Sequence, residues 1–220
     1  MKNVILIMWS FLGPILLTGQ DWPELNRFRE DNARLDVPKV NENRIVFMGN
    51  SITESWSSLH PEFFSGKSYI NRGISGQTTA QMLVRFRADV IDLRPKAVVI
   101  LAGTNDIAGN TGPATIKMIA DNIISMAELA RVNNILVIIS SVLPVYDYSW
   151  KPGLEPVAKI SRLNEIIKNY ALKHGHTYLD YYAAMVDDQK GLKKEYTYDC
   201  LLYTSPSPRD LSTSRMPSSA

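Results

Sequence analysis

The residue types able to do covalent chemistry gather in three short runs: Gly49-Asn50-Ser51, Gly73-Ile74-Ser75-Gly76 and Gly103-Thr104-Asn105-Asp106. Each joins a glycine to a short polar side chain. Glycine lets the backbone approach a ligand closely and frees N–H groups that a side chain would shield. Ser51 also opens a short helical segment over 52–56, where orphan N–H groups and the helix dipole favour a developing negative charge. A serine hydroxyl beside amide donors and a carboxamide suits acyl transfer, because the hydroxyl attacks a carbonyl and the donors hold the resulting oxyanion. Each run has a plainer reading too. Ser51 could simply cap its helix, Asn105-Asp106 could cap and turn a loop, and Gly73 and Gly76 could be turn residues. Three consecutive loops offering a group each make a stronger joint signal than any one of them.

The elements that would position these runs read as alternating strands and helices. Residues 44–49 form a short apolar run meeting a glycine, as a buried parallel strand does, and 69–71 carry a second, weaker strand. Met82, Leu83, Phe86, Val90 and Leu93 share one helical stripe within 78–93, stopped near Pro95. Residues 97–103 are the clearest central strand, followed by a helix over 113–131 with proline in its first turn. A fourth strand at 135–141, a helix over 156–174 and a fifth strand opening at 177–180 complete the pattern. Such alternation implies an α/β fold with a parallel sheet covered on both faces, in which ligands sit beyond the carboxyl ends of the strands. All three polar runs then lie on one rim of a single domain, and 145–153 is an insertion loop.

Both chain ends read as outside this domain. Residues 4–17 are an apolar run after Lys2, shorter than the roughly 20 residues of a membrane-spanning helix, followed by Thr18, Gly19 and Gln20. Residues 1–20 are expected to be a signal peptide, so the mature chain would start near Asp21 and be exported, to the periplasm or outside the cell, with no stable membrane span. No cysteine follows the apolar run, which speaks against a lipid anchor. Residues 200–220 are rich in serine and proline without amphipathic repeat, and they resemble the translation of a transposase sequencing adapter. They are expected to be a non-native, disordered tail, which removes the single cysteine from the chemistry.

With 45% hydrophobic and 21% charged residues among 220, the chain has the composition of an ordinary globular domain. Its formal charge is +2, and leaving out Lys2, Arg209, Arg215 and Asp210 balances the rest. A neutral chain argues against nucleic acid as a partner. Asp121, Asp187 and Asp188 lack ligand spacing with a histidine, so no metal is expected. The first loop lacks both the dinucleotide-binding and the P-loop glycine patterns, which argues against a nucleotide binder.

Phe47-Met48-Gly49-Asn50-Ser51-Ile52-Thr53, Ile74-Ser75-Gly76-Gln77-Thr78 and Gly103-Thr104-Asn105-Asp106 resemble blocks I, II and III of the SGNH (GDSL-type) hydrolases, in order and at the family's spacing. The resemblance spans about 44–199. It implies a flavodoxin-like three-layer sandwich with a five-stranded parallel sheet, and a serine esterase needing no cofactor. It implies Ser51 as nucleophile, and the Ser51 N–H, the Gly76 N–H and the Asn105 carboxamide as the oxyanion hole. Block I carries Asn50 where the family usually has aspartate, a change expected to do little harm because asparagine keeps an acceptor oxygen. The family's D-x-x-H element would begin at Asp199, the triad acid, but Leu202 stands where the histidine should be. His174 and His176 precede the fifth strand, at the opposite rim, and His60 would need an unusual loop to reach Ser51. The chain as written is therefore expected to be close to inactive, with the fold's last helix missing. Trp56, Tyr148 and Trp150 are candidate substrate-binding aromatics that could equally be packing residues. Substrates would be small-molecule or glycan esters, O-acetyl carbohydrate or lipid esters among them; oligomeric state is not legible. The competing reading is a non-catalytic module holding a glycan or acyl chain on the same rim.

Overall fold

The computed structural model describes residues 21–196; Asp199 and the two terminal stretches lie outside them. In chain order the elements are α1 (Arg29–Ala33), β1 (Ile45–Gly49), α2 (Ser51–Leu59), α3 (Pro61–Phe64), β2 (Tyr69–Gly73), α4 (Thr79–Asp89), β3 (Ala97–Leu101), α5 (Thr104–Ile107), α6 (Ile116–Val132), β4 (Leu136–Ser140), α7 (Pro156–Lys173), β5 (Thr177–Leu179) and α8 (Tyr181–Met185). The strands form one sheet in the order β2-β1-β3-β4-β5, every neighbour parallel. This is the expected α/β architecture, with boundaries shifted by a few residues.

Alternation along the strands sorts the core into two faces. Val46, Met48, Val98, Ile100, Val137 and Ile139 pack with the buried stripes of α4, α6 and α7 in one large cluster. The opposite set, Phe47 and Val99, packs with Trp56 of α2 and with Phe63, Phe64 and Tyr69. Leu136 lies in register with Ala97 on that second face and is 63% exposed, so over β4 the described residues cover this face thinly.

Gly49 pairs with Gly73 on one side and Leu101 on the other, so β1, β2 and β3 end level with one another. Helix α2 comes down directly onto those ends. A Cβ on Gly73 would lie 2.1 Å from the Glu54 amide nitrogen, a distance no side chain can occupy. Glycine at the end of β2 is thus a condition for the seat of α2.

Candidate active site

Ser51 is the first residue of α2 and is 5% exposed. It does not cap the helix. The cap is Asn50, whose Oδ1 accepts the Ile52 N–H at 3.1 Å. The acceptor oxygen that asparagine shares with aspartate is therefore the one in use, and the Ser51 hydroxyl makes no hydrogen bond among the described residues.

The loop after β2 is held on several sides. The Ile74 N–H donates to Gly49 O at 3.2 Å and the Gln77 N–H to Ile74 O at 3.3 Å. Glu54, in the first turn of α2, accepts from the Ser75 N–H at 2.9 Å and from the Ser75 hydroxyl. Its other oxygen pairs with Arg27 at 3.1 Å. Gly76 sits between these anchors at φ +76°, a left-handed conformation that favours glycine. Asn110 Nδ2 donates to Gly76 O at 3.1 Å, while the Gly76 N–H finds no acceptor among the described residues.

The loop after β3 divides its two polar residues between two tasks. Asn105 donates one Nδ2 hydrogen to Gln77 O at 2.9 Å, which ties its carboxamide to the residue after Gly76 and leaves the second hydrogen unused. Asp106 accepts from the Thr79 N–H at 3.0 Å and the Thr79 hydroxyl at 2.6 Å, closing the first turn of α4. Burial pushes the Asp106 carboxyl above the usual carboxylate range, and the Thr79 hydrogen bonds offset part of that. Asp106 thus caps nothing in its own loop but serves the start of α4, and Asn105 reaches across to Gln77.

Two side chains that sequence reasoning passed over organise this rim. Gln77 accepts from Arg85 Nε at 2.6 Å and donates to Pro23 O at 2.9 Å. Arg85 is wholly buried. Its guanidinium also donates to Gly49 O at 3.1 Å, to Arg72 O at 2.8 Å and to Asp89 at 2.9 Å. One cation so fastens the ends of β1 and β2 to the loop carrying Gly76. A signal for it was present: Arg85 falls between Met82 and Phe86 on the inward stripe of α4, four residues before an aspartate.

The three aromatic candidates end in different places. Trp56 is packed against Phe63 at a 4.2 Å ring separation, and lines a cavity of about 20 Å³ with Ile52, Leu101 and Tyr181. Tyr148 is 0% exposed, and its hydroxyl bonds Thr104 Oγ1 and Thr104 O, both at 3.0 Å, so it braces the β3 loop from within the core. Trp150 is 39% exposed with its ring 4.9 Å from that of Tyr148.

Among the described residues no histidine reaches the rim. His60 ends α2, and at about 1.5 Å per residue that is about 13 Å along the helix from Ser51. His174 ends α7 and His176 precedes β5, both at the far edge of the sheet. No group of three or more His, Cys, Asp or Glu among the described residues is arranged to hold a metal ion. No described helix is long and apolar enough to cross a membrane.

The sequence profile of the GDSL-like lipase/acylhydrolase family matches residues 47–204. The chain belongs to that family. A crystal structure of a GDSL-like lipase from Bacteroides thetaiotaomicron is similar at 44% identity and a TM-score of 0.82, covering 87% of this chain and 94% of that one. A Bacteroides fragilis protein described as a candidate acylhydrolase gives 45% identity and a TM-score of 0.83, covering 89% and 94%. The uncharacterized lipoprotein YqeF of Bacillus subtilis strain 168 is 35% identical over 164 residues, 70% of this chain. The chain spans 62% of that relative's length. Membership of the GDSL-like family agrees with the five-stranded parallel sheet.

Proposed function

We propose that this family member is an exported serine esterase that cleaves carboxylic esters through an acyl-enzyme on Ser51. The observation that carries the reading is the division of labour between Asn50, which caps α2, and Ser51, whose hydroxyl the fold leaves unused. Ser51 Oγ attacks the ester carbonyl carbon, and the carbonyl electron pair moves onto oxygen. The Ser51 N–H, the Gly76 N–H and the second Asn105 Nδ2 hydrogen receive that negative charge. Collapse of the intermediate breaks the C–O bond and releases the alcohol; water then attacks the acyl-enzyme and frees the acid. Asp199 would orient the histidine that takes the serine proton, and Leu202 occupies that histidine's place in this sequence. The chain as written is accordingly close to inactive, since a serine without a base is a poor nucleophile at neutral pH. Residues 1–20 act as the export signal, 21–199 as the hydrolase domain and 200–220 as a non-native tail. A small acyl group on a carbohydrate or lipid alcohol is the substrate class.

The test uses the chain completed with a D-x-x-H end. It should hydrolyse p-nitrophenyl acetate, and Ser51→Ala should remove that activity. An unchanged rate in Ser51→Ala sinks the assignment. The competing reading, a binding module on the same rim, predicts instead that the completed chain binds ester without turnover and resists a fluorophosphonate probe.

A further inference from the structure

A cleft of about 710 Å³ opens at Gly76, within the size range of small-molecule sites. One wall is the loop after β2; the other is the N-terminal segment 21–24 together with Asn110 and Thr111. That segment is built into the rim. Trp22 O accepts from Gln81 Nε2 at 2.7 Å, and Pro23 O from Gln77 Nε2 at 2.9 Å. Asp21 accepts the Leu25 and Asn26 N–H groups, both at 2.9 Å, so the turn that carries Trp22 is closed. Trp22 is 44% exposed and is the one aromatic residue lining the cleft among the described residues. Glu24 lines it too, its carboxylate bonded to none of the described residues.

The lining sorts the ligand by chemistry. Two carboxylates face the cleft, and no lysine or arginine among the described residues lines it, so a phosphate head group would meet like charge with no described cation to pair. Its amides and hydroxyls offer a fatty chain little apolar surface. The apolar cavity beside α2, at about 20 Å³, is the size of one water and cannot take such a chain. A neutral ring with many hydroxyls and an apolar face satisfies both halves of the cleft, stacking on the Trp22 indole and donating to Glu24 and the Asn110 carboxamide oxygen.

We propose that the cleft formed by Trp22, Glu24, Asn110 and Thr111 beside Gly76 is a sugar subsite, which takes the alcohol half of the substrate and makes it a glycosyl ester rather than a lipid ester. The inference rests on the Ser51 esterase reading, for which it supplies the leaving group. Its test is calorimetric titration of the full chain with mono-O-acetylated cellobiose and, separately, with monomeric lysophosphatidylcholine. The sugar ester should bind, and Trp22→Ala should weaken it at least about tenfold. Trp22→Phe should stay within about threefold of the parent, because it keeps a stacking face. Glu24→Gln should weaken it by a few-fold, and thermal melting monitors the fold of each variant. No binding by the parent, equal binding by Trp22→Ala, or tighter binding of lysophosphatidylcholine overturns the proposal. The titration involves no turnover, so it fails separately from the esterase reading. Hydrolysis indifferent to Ser51 with an intact Trp22 effect sinks only the latter; Ser51-dependent hydrolysis with no Trp22 effect sinks only the subsite.

Discussion

Asn50 and Ser51 are adjacent, yet the fold consumes only one of their side chains: Asn50 Oδ1 takes the Ile52 N–H, and the serine is left over. Asn105 and Asp106 divide in the same way, the first turned to Gln77 O and the second to Thr79. Asn105→Ala in the chain completed with D-x-x-H should therefore lower kcat on p-nitrophenyl acetate by about 10²–10³-fold, the usual cost of one oxyanion donor. Asp106 should behave as a structural acceptor. Asp106→Asn keeps an oxygen for Thr79 and should cost little, because burial already disfavours the charge; Asp106→Ala should cost about 1–3 kcal/mol in urea denaturation. The polar runs themselves were legible, since short polar residues after apolar strands point to a rim. Which neighbour caps and which is spare was not, because backbone angles at Asn50 and Thr79 decide it. Gln77 could not be found at all, because its partners, Pro23 and Arg85, come from opposite directions in the chain.

At the level of elements, the rim depends on α2 resting on the strand ends and on the loop after β2 staying closed. Gly73→Ala places a methyl against the Glu54 backbone, so α2 must lift. We expect a loss of about 1–3 kcal/mol in denaturant midpoint, with activity lost more steeply than stability. Arg85 fixes the same region from below. Arg85→Met would take the cation from Asp89 and a donor from Gln77, Gly49 and Arg72 in the core, and should cost about 3–5 kcal/mol by urea titration. Arg85→Lys should not rescue it, since an ammonium cannot reproduce the planar fork that meets Gln77, Gly49 and Arg72 together. The boundaries of β1, β3 and α7 were readable from periodicity, whereas α6 starts at Ile116 behind its Thr115 cap, so Pro113 stands before the helix and not in its first turn. The short helices α3, α5 and α8 were not, being too brief to show a period.

Over the whole molecule, the parallel sheet follows from alternating patterns that leave few topologies to choose among. Pattern alone did not specify how the faces would be covered, as the exposure of Leu136 shows. At the far edge, burial together with nearby His174 and Arg131 pulls the His176 imidazole below its ordinary value, and its Nε2 has no hydrogen-bond partner among the described residues. The folded chain binds that proton less readily than the unfolded chain. The associated stability is thus present above about pH 6.5 and is lost as pH falls through the lower folded value. Melting temperature should drop between about pH 7 and 5, and His176→Gln should flatten that part of the profile in differential scanning fluorimetry.

The carbonyls of Trp22 and Pro23 accept from two glutamines that line the cleft beside Gly76, Gln81 and Gln77. A mechanical load on this segment, from a tether or a bulky fusion, would reach the proposed catalytic rim through these two hydrogen bonds. A protease cut between residues 24 and 29 should loosen the same grip, so in the chain completed with D-x-x-H a fall in p-nitrophenyl acetate hydrolysis would report a broken leading edge of the domain.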